Sequence, residues 1–327
     1  MGSLKAAQLR AWTPIWIRAN GAEPLVDWAI VDEPFTDPFF EQTVERAMQH
    51  PFNRVFAQRT PIDVLEDLAA VESGLAPNGL IFHMSRCGST LVAQMLAAVA
   101  STIVLSEAQP LDALLALRSR RTCDDELIVR WLRATTSALA RPGAGERRLF
   151  VKFHAWHVLE LPLIVRAFPD VPWIFLFREP RAVLRSHDKS PGAEALAGTL
   201  DPAYAGIEPR DAPFLPQDEY RARMLAAFCE AALRHADVGQ GRFVDYAALP
   251  EIVLSELLDF FGVALDDGDA QRMHHVTGRD AKRAGAAFRP RALEYGAPEL
   301  DRLAARWLDA AYQALVVRSR GGAPGGR

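Results

Sequence analysis

An α/β fold around a central, mainly parallel sheet is what this sequence predicts, on three observations. From Gly79 onward, short apolar runs alternate with helical segments, as in strands joined by helical crossovers. One run, LIFHM, passes through SRCGST directly into an apolar helix. Another, WIFLF, is strongly apolar throughout.

The elements follow in order. WIRANGAEPLVDWAIV reads as two short strands around an Asn20-Gly21 turn, and PFFEQTVERAMQ, after Thr36-Asp37-Pro38, as a helix with a capped start. Ile62 to Ser73 is a further helix and Gly74 to Gly79 a linker, so residues 1–76 form an N-terminal extension rich in Trp, Phe and Pro. The alternation then runs LIFHM (strand), Gly88 to Ala100 (helix), TIVLS (strand), Asp112 to Arg120 and Asp125 to Ala140 (helices). RLFVKFH (strand), His157 to Ala167 (helix) and WIFLF (strand) continue it. Residues 187–217, with five prolines, read as loop. Asp218 to His235 is helical, RFVDY a strand, Pro250 to Phe261 a helix, and one long helix, Pro298 to Val317, closes the domain of residues 77–317. Residues 318–327 are expected to be a disordered tail.

Composition narrows the function. The 327 residues suffice for one large α/β domain with a sizeable core. A net charge of -4 argues against nucleic acid as the partner, while a local basic pocket for an anionic small molecule stays compatible with it. Cys87, Cys123 and Cys229 are widely spaced, with no CxxC pair. They provide neither a disulfide framework nor a zinc site and suit a reducing compartment. Met1 to Arg10 carries no signal pattern, and the apolar stretch Leu91 to Leu105 is interrupted and too short to span a bilayer. A cytoplasmic protein without a membrane partner is expected, and a homodimer is left open.

The strand–SRCGST–helix run is the sharpest local signal. A tight loop between a parallel strand and a helix N-terminus gathers backbone N–H groups and the helix dipole around an anion. Gly88 allows close approach, and Ser89 and Thr90 offer hydroxyls. A nucleoside-triphosphate loop requires GxxxxGK[ST]. Here His83 takes the place of the first glycine and Ser89 that of the lysine, while positive charge has moved ahead of the glycine, to Arg86. ATP hydrolysis is disfavoured. The second signal, WIFLFREPRAVLRS, ends its strand in Arg178 where ATP-using proteins place a magnesium-holding aspartate. An arginine there suits a phosphate directly. Ser186, eight residues on, lies about two helical turns away. Arg181 and Arg185 read as solvent-facing helix residues.

SRCGSTL resembles the [KR]-S-G-[ST]-[ST] loop of P-loop sulfotransferases, whose donor is 3'-phosphoadenylyl sulfate (PAPS). The resemblance implies that Arg86, Cys87, Gly88, Ser89 and Thr90 hold the donor's 5'-phosphosulfate. Cys87 stands where serine is usual, and Leu91 where cytosolic members place a tryptophan under the adenine. REPRAVLRS resembles the family's 3'-phosphate motif, with Glu179 for Asp or Asn, which assigns Arg178 and Ser186 to that phosphate. RFVDYAALPEIVLSELLDFFGV resembles the segment that points to Tyr246 beside the adenine. GRDAKRAG resembles the C-terminal loop over the 3'-phosphate and points to Lys282, Arg283 and Gly285.

Sulfuryl transfer needs a base for the acceptor proton and a cation at the departing oxygen. VKFHAW offers both, since Lys152 and His154, two apart on a strand, share a face. The segment resembles the K-T-H of cytosolic sulfotransferases. Glu107 is a rival base: it follows Arg86 by 21 residues, the spacing at which tyrosyl-protein sulfotransferases carry a catalytic glutamate. His154, Lys152, Glu107 and Arg86 are thus the candidate catalytic residues. The resemblance implies a P-loop-type three-layer fold and transfer from PAPS, without a metal, to a hydroxyl or amine of a small-molecule acceptor. Adenosine 3',5'-bisphosphate is then the product. The acceptor is expected between residues 187–217 and the extension, which would serve as a lid or an interface. Two rivals remain: a P-loop small-molecule kinase, which Arg178 disfavours, and a non-catalytic nucleotide-binding protein, which Lys152 and His154 disfavour.

Overall fold

The computed structural model describes residues 6–19, 23–120, 123–143, 145–189, 191–192, 195–266, 268–278 and 297–321. In chain order its strands are β1 (Thr13–Arg18), β2 (Leu25–Ala29), β3 (Gln58–Pro61), β4 (Gly79–His83), β5 (Thr102–Ser106), β6 (Arg148–Lys152), β7 (Trp173–Phe177) and β8 (Gly241–Asp245). The helices of the first half are α1 (Phe40–Gln49), α2 (Pro51–Val55), α3 (Val64–Val71), α4 (Ser89–Ala97), α5 (Gln109–Ser119), α6 (Asp125–Leu139) and α7 (Leu161–Ala167). Then come α8 (Pro180–Lys189), α9 (Gln217–Arg234), α10 (Leu258–Phe260), α11 (Asp269–Thr277), α12 (Pro298–Trp307) and α13 (Asp309–Arg320).

β4 to β8 form one five-stranded parallel sheet, ordered β5-β6-β4-β7-β8 and flanked by helices. GLIFH and WIFLF are buried at every position, as strands covered on both faces must be. The ladder aligns the C-terminal ends: Ile81 and Ser106 both pair with Lys152, His83 with Leu176, and Phe177 with Asp245. The chain leaves β4 toward the β5 edge and leaves β7 toward the β8 edge. That divergence opens a crevice beyond the ends of β4 and β7, where open α/β sheets take their ligands.

The extension forms a second, antiparallel sheet, β1-β2-β3. Its apolar residues Ile15, Ile17, Val26 and Trp28 are buried and belong to the same core as the parallel sheet. β3 was not expected. Gln-Arg-Thr-Pro has no strand pattern of its own, and it becomes a strand by pairing with β2 at Val26↔Thr60. The Trp28 indole N–H donates to Thr60 Oγ1 at 2.9 Å, which gives a buried polar group its partner.

Three other expectations change. The single closing helix is two, α12 and α13, meeting at buried Leu308, and residues 318–320 continue α13 rather than a tail. The strand carrying the Lys-Phe-His run ends at Lys152, although the Phe153 N–H still donates to the Ile81 carbonyl at 3.0 Å. His154 therefore caps the 3-10 turn Ala155–Glu160 instead of sharing a strand face with Lys152. The Asn20-Gly21 turn and Lys282, Arg283 and Gly285 lie outside the described residues.

Candidate active site

Each parallel strand ends where a candidate residue begins. β4 ends at His83 and leads into residues 84–88; β5 ends at Ser106, before Glu107; β6 ends at Lys152; β7 ends before Arg178, and β8 before Tyr246. Aligned strand ends put side chains far apart in sequence at one edge of the sheet.

The loop after β4 curls through left-handed backbone at Ser85 (φ 75°), Arg86 (φ 52°) and Gly88 (φ 86°). Such a turn directs successive N–H groups inward, as in an anion-binding nest. Gly88 is also the N-cap of α4, where no side chain caps the helix. A Cβ at Gly88 would lie 2.7 Å from Leu249 Cδ1 and 2.9 Å from Tyr246 Cδ2, so both φ and space favour glycine there. The Cys87 side chain turns away from the loop, its S–H donating to the Leu176 carbonyl at 3.1 Å. Burial pushes that thiol up to about 12, so Cys87 offers the loop backbone only. Ser89 and Thr90 are buried in the first turn of α4.

Arg178 reaches this loop. Its Nη1 donates to the Arg86 carbonyl at 3.4 Å, and its guanidinium lies 4.1 Å from the Tyr246 ring centroid. Arg86, Arg178 and Tyr246 are thus gathered around Gly88. Ser186 is half-buried on α8. Arg181 and Arg185 do not face solvent freely. Arg181 is bidentate to Asp309 at 2.9 Å and Arg185 donates to Asp301 at 3.0 Å, so both tie α8 to the C-terminal helices.

On the other side of the loop the two rival bases meet. The Lys152 ammonium, its side chain 0% exposed, donates to Glu107 Oε1 and lies 3.4 Å from Ser106 Oγ. His154 Nδ1 stands 3.5 Å from Glu107 Oε2. Burial opposes the charge on Glu107, but the Lys152 ammonium, followed by the His83 hydrogen bond, holds the carboxyl well below its usual range. Glu107 is itself left-handed, φ 57°, with its N–H donating to the Lys152 carbonyl at 2.7 Å. A non-glycine residue held there is a sign of function where the surroundings over-determine it.

Sequence reasoning missed several neighbours. Asp112, in the first turn of α5, accepts from Trp156 Nε1 at 2.9 Å and from His157 Nε2 at 3.0 Å, and lies 3.9 Å from His154 Nε2. Burial opposes its charge, yet the His157 hydrogen bond and nearby imidazoles bring it down to about 2. The extension reaches the cluster too. The Pro38 carbonyl accepts from Ser106 Oγ at 2.7 Å, and the Phe39 ring centroid lies 5.0 Å from Lys152 Nζ. Glu41, in the first turn of α1, has its carboxyl pushed up by burial, with Glu107 and Asp112 adding to the effect and His154 opposing it. An acidic first turn and a His-x-x-His spacing were the only local signals for Asp112 and His157, and both are common in helices that bind nothing.

Comparison with known proteins adds the family. The model of the sulfotransferase family matches residues 80–267. Among solved structures, a sulfotransferase of Mycobacterium avium is 13% identical, aligned over 82% of this chain and 81% of its own, with a TM-score of 0.45. A sulfotransferase of Alicyclobacillus acidocaldarius is 18% identical over 74% of this chain and 96% of its own, TM-score 0.42. The sulfotransferase domain of the Synechococcus PCC 7002 olefin synthase is 17% identical over 77% and 98%, TM-score 0.42. No curated protein matches the chain. The family match takes in both the left-handed loop and the Lys152 cluster and covers more than half of the 327 residues, so the chain belongs to the sulfotransferase family and is a sulfuryl-transferring enzyme.

Proposed function

We propose that the enzyme takes the sulfuryl group from PAPS and delivers it to a hydroxyl or amine of a small molecule, with no metal in the step. The observation that carries this reading is the meeting of Lys152, Glu107 and His154 beside the left-handed loop. An anion-binding loop alone suits many phosphates. A buried ammonium with a carboxylate and an imidazole adds the cation and the base that transfer requires.

The residues present fit such a donor. The N–H groups of residues 86–90 and the start of α4 would take the 5'-phosphosulfate, Arg178 and Ser186 the 3'-phosphate, and Tyr246 would flank the adenine. The donor, when bound, supplies the electrophilic sulfur, and the chain supplies everything around it. Lys152 brings positive charge to the departing oxygen. Glu107, ionised and engaged by Lys152 and His83, is a weak base by the Brønsted relation. Its second oxygen faces His154 instead, which supports His154 as the base and Glu107 as its orienting partner, as in other acid–base pairs. Phe39, Asp112 and Trp156 would wall the acceptor between the extension and residues 187–217.

Thermal shift tests the reading. Adenosine 3',5'-bisphosphate at about 100-fold its Kd should add about 2.7 kcal/mol of stability, and EDTA should leave that gain unchanged. Stronger stabilisation by ATP, present only with magnesium, would overturn it in favour of a kinase-like site.

A further inference from the structure

We infer that His83 couples the donor loop to the catalytic cluster, one ring nitrogen holding Ser85 and the other holding Phe153 and Glu107. The inference deepens the reading of the site given above and rests on it. His83 is the last residue of β4 and only 4% exposed. Its Nδ1 accepts the Ser85 N–H at 3.0 Å. A ring nitrogen that accepts carries no proton, so in the neutral ring the proton sits on Nε2. Nε2–H donates to the Phe153 carbonyl at 3.0 Å and lies 3.4 Å from Glu107 Oε1.

Both ends of the imidazole land where the backbone needs support. Ser85 and Glu107 are two of the four non-glycine residues in left-handed conformation among the described residues. Such conformations persist only when neighbours hold them. The Phe153 carbonyl lies between Lys152 and His154, so a donor fixed on it also sets the bend that carries His154 off β6. One side chain thereby shapes the loop's curvature, aims the Glu107 carboxylate and steadies the turn under the base. A glycine, which nucleoside-triphosphate loops place at this point, could do none of the three. His83 is a positioning residue: it acts through Ser85, Glu107 and Phe153.

The two halves of the coupling can be separated by substitution. In His83→Asn the amide oxygen can replace Nδ1 as the acceptor for Ser85, and in His83→Gln the amide N–H can replace Nε2 as the donor. Three quantities are measured in the full-length enzyme: Kd for adenosine 3',5'-bisphosphate, hydrogen exchange at the Ser85 amide, and single-turnover release of sulfate from PAPS, which needs no added acceptor. His83→Asn should keep Ser85 protection and bisphosphate affinity while sulfate release slows about 3- to 10-fold, the worth of one hydrogen bond. His83→Gln should do the reverse: Kd rises by a similar factor and Ser85 exchanges faster, while sulfate release slows less than in His83→Asn. Identical behaviour of the two variants in all three readouts would reduce His83 to a core residue and overturn the inference. So would a His83→Ala enzyme unchanged in all three. Should the wild type fail to bind the bisphosphate, the donor assignment falls, and Ser85 exchange alone decides the coupling: a split between the two variants upholds it, and no split overturns it.

Discussion

Lys152 brings a full charge to a place where its side chain is 0% exposed, beneath the Phe39 ring and against Glu107. Desolvating an ammonium is tolerable only while the counter-charge and hydrogen bonds are present. Removing one partner of such a pair is therefore worse than removing both. Glu107→Gln should destabilise the fold by roughly 3–5 kcal/mol in urea melts, because the ammonium is left uncompensated. Adding Lys152→Met should return most of that loss. Catalysis should not follow stability: the double variant should still release sulfate from PAPS at least about 100-fold more slowly, the cost of losing a cation aimed at developing charge. A double variant no more stable than Glu107→Gln would mean that the pair does not hold this corner of the fold together.

At the scale of elements, the loop between β4 and α4 joins a steric demand to a chemical one. Gly88 must be left-handed, and Tyr246 and Leu249 occupy the space a Cβ would need. Both neighbours are side chains, so Gly88→Ala should fold, with a loss of about 1–2 kcal/mol for the left-handed alanine. Binding should suffer more than stability, because the ring that must yield is Tyr246, which also faces Arg178. We expect the bisphosphate Kd to rise at least about tenfold, equivalent to 1.4 kcal/mol. An alanine variant that binds like the wild type would show that Tyr246 and Gly88 touch without shaping the donor site. The start of α8 has a similar economy. Glu179 accepts the N–H groups of Arg181 and Ala182 at 3.0 and 2.8 Å, filling with a carboxylate the capping role that Asn or Asp would serve.

Across the whole molecule, the extension and the parallel sheet share a single buried core, and the Gln109 side chain bonds both the N–H and the carbonyl of Ile17. Cutting away residues 1–76 would bare that core, so point changes such as Phe39→Ala are the sounder probe of the acceptor side. Acid sensitivity also belongs to this scale. Burial pulls the His157 imidazole down from 6.5 to about 4, so the fold holds it neutral while the unfolded chain takes up the proton first. Its stabilisation is complete above pH 6.5 and is lost progressively as pH falls toward 4. The depressed carboxyls Glu107 and Asp112 add losses of the same sign only below their ordinary values of 4.5 and 3.8. Glu41 and Glu160, pushed up by burial, act in the opposite sense. The melting temperature of wild type should therefore fall more steeply between pH 6.5 and 4.5 than that of His157→Gln, which keeps a neutral donor to Asp112. Parallel profiles would remove His157 from the account.

The sequence by itself determined the parallel sheet, the loop after LIFHM and the arginine after WIFLF. These are local signals: continuous apolar runs mark strands buried on both faces, and a glycine between strand and helix marks a tight turn. It also named Lys152 as the cation and His154 and Glu107 as rival bases, because nothing local says which strands become neighbours. Strand order alone sets Ser106 opposite Lys152, and so brings Glu107 to an ammonium 45 residues away. The same non-local pairing makes a strand of Gln58–Pro61, hands Arg181 and Arg185 to Asp309 and Asp301, and turns His83 from a replaced glycine into the link between loop and cluster. A side chain's type is written in the chain, but its partner is a property of the packed sheet, and in this site the partners decide which group carries charge, which accepts a proton and which only holds the others in place.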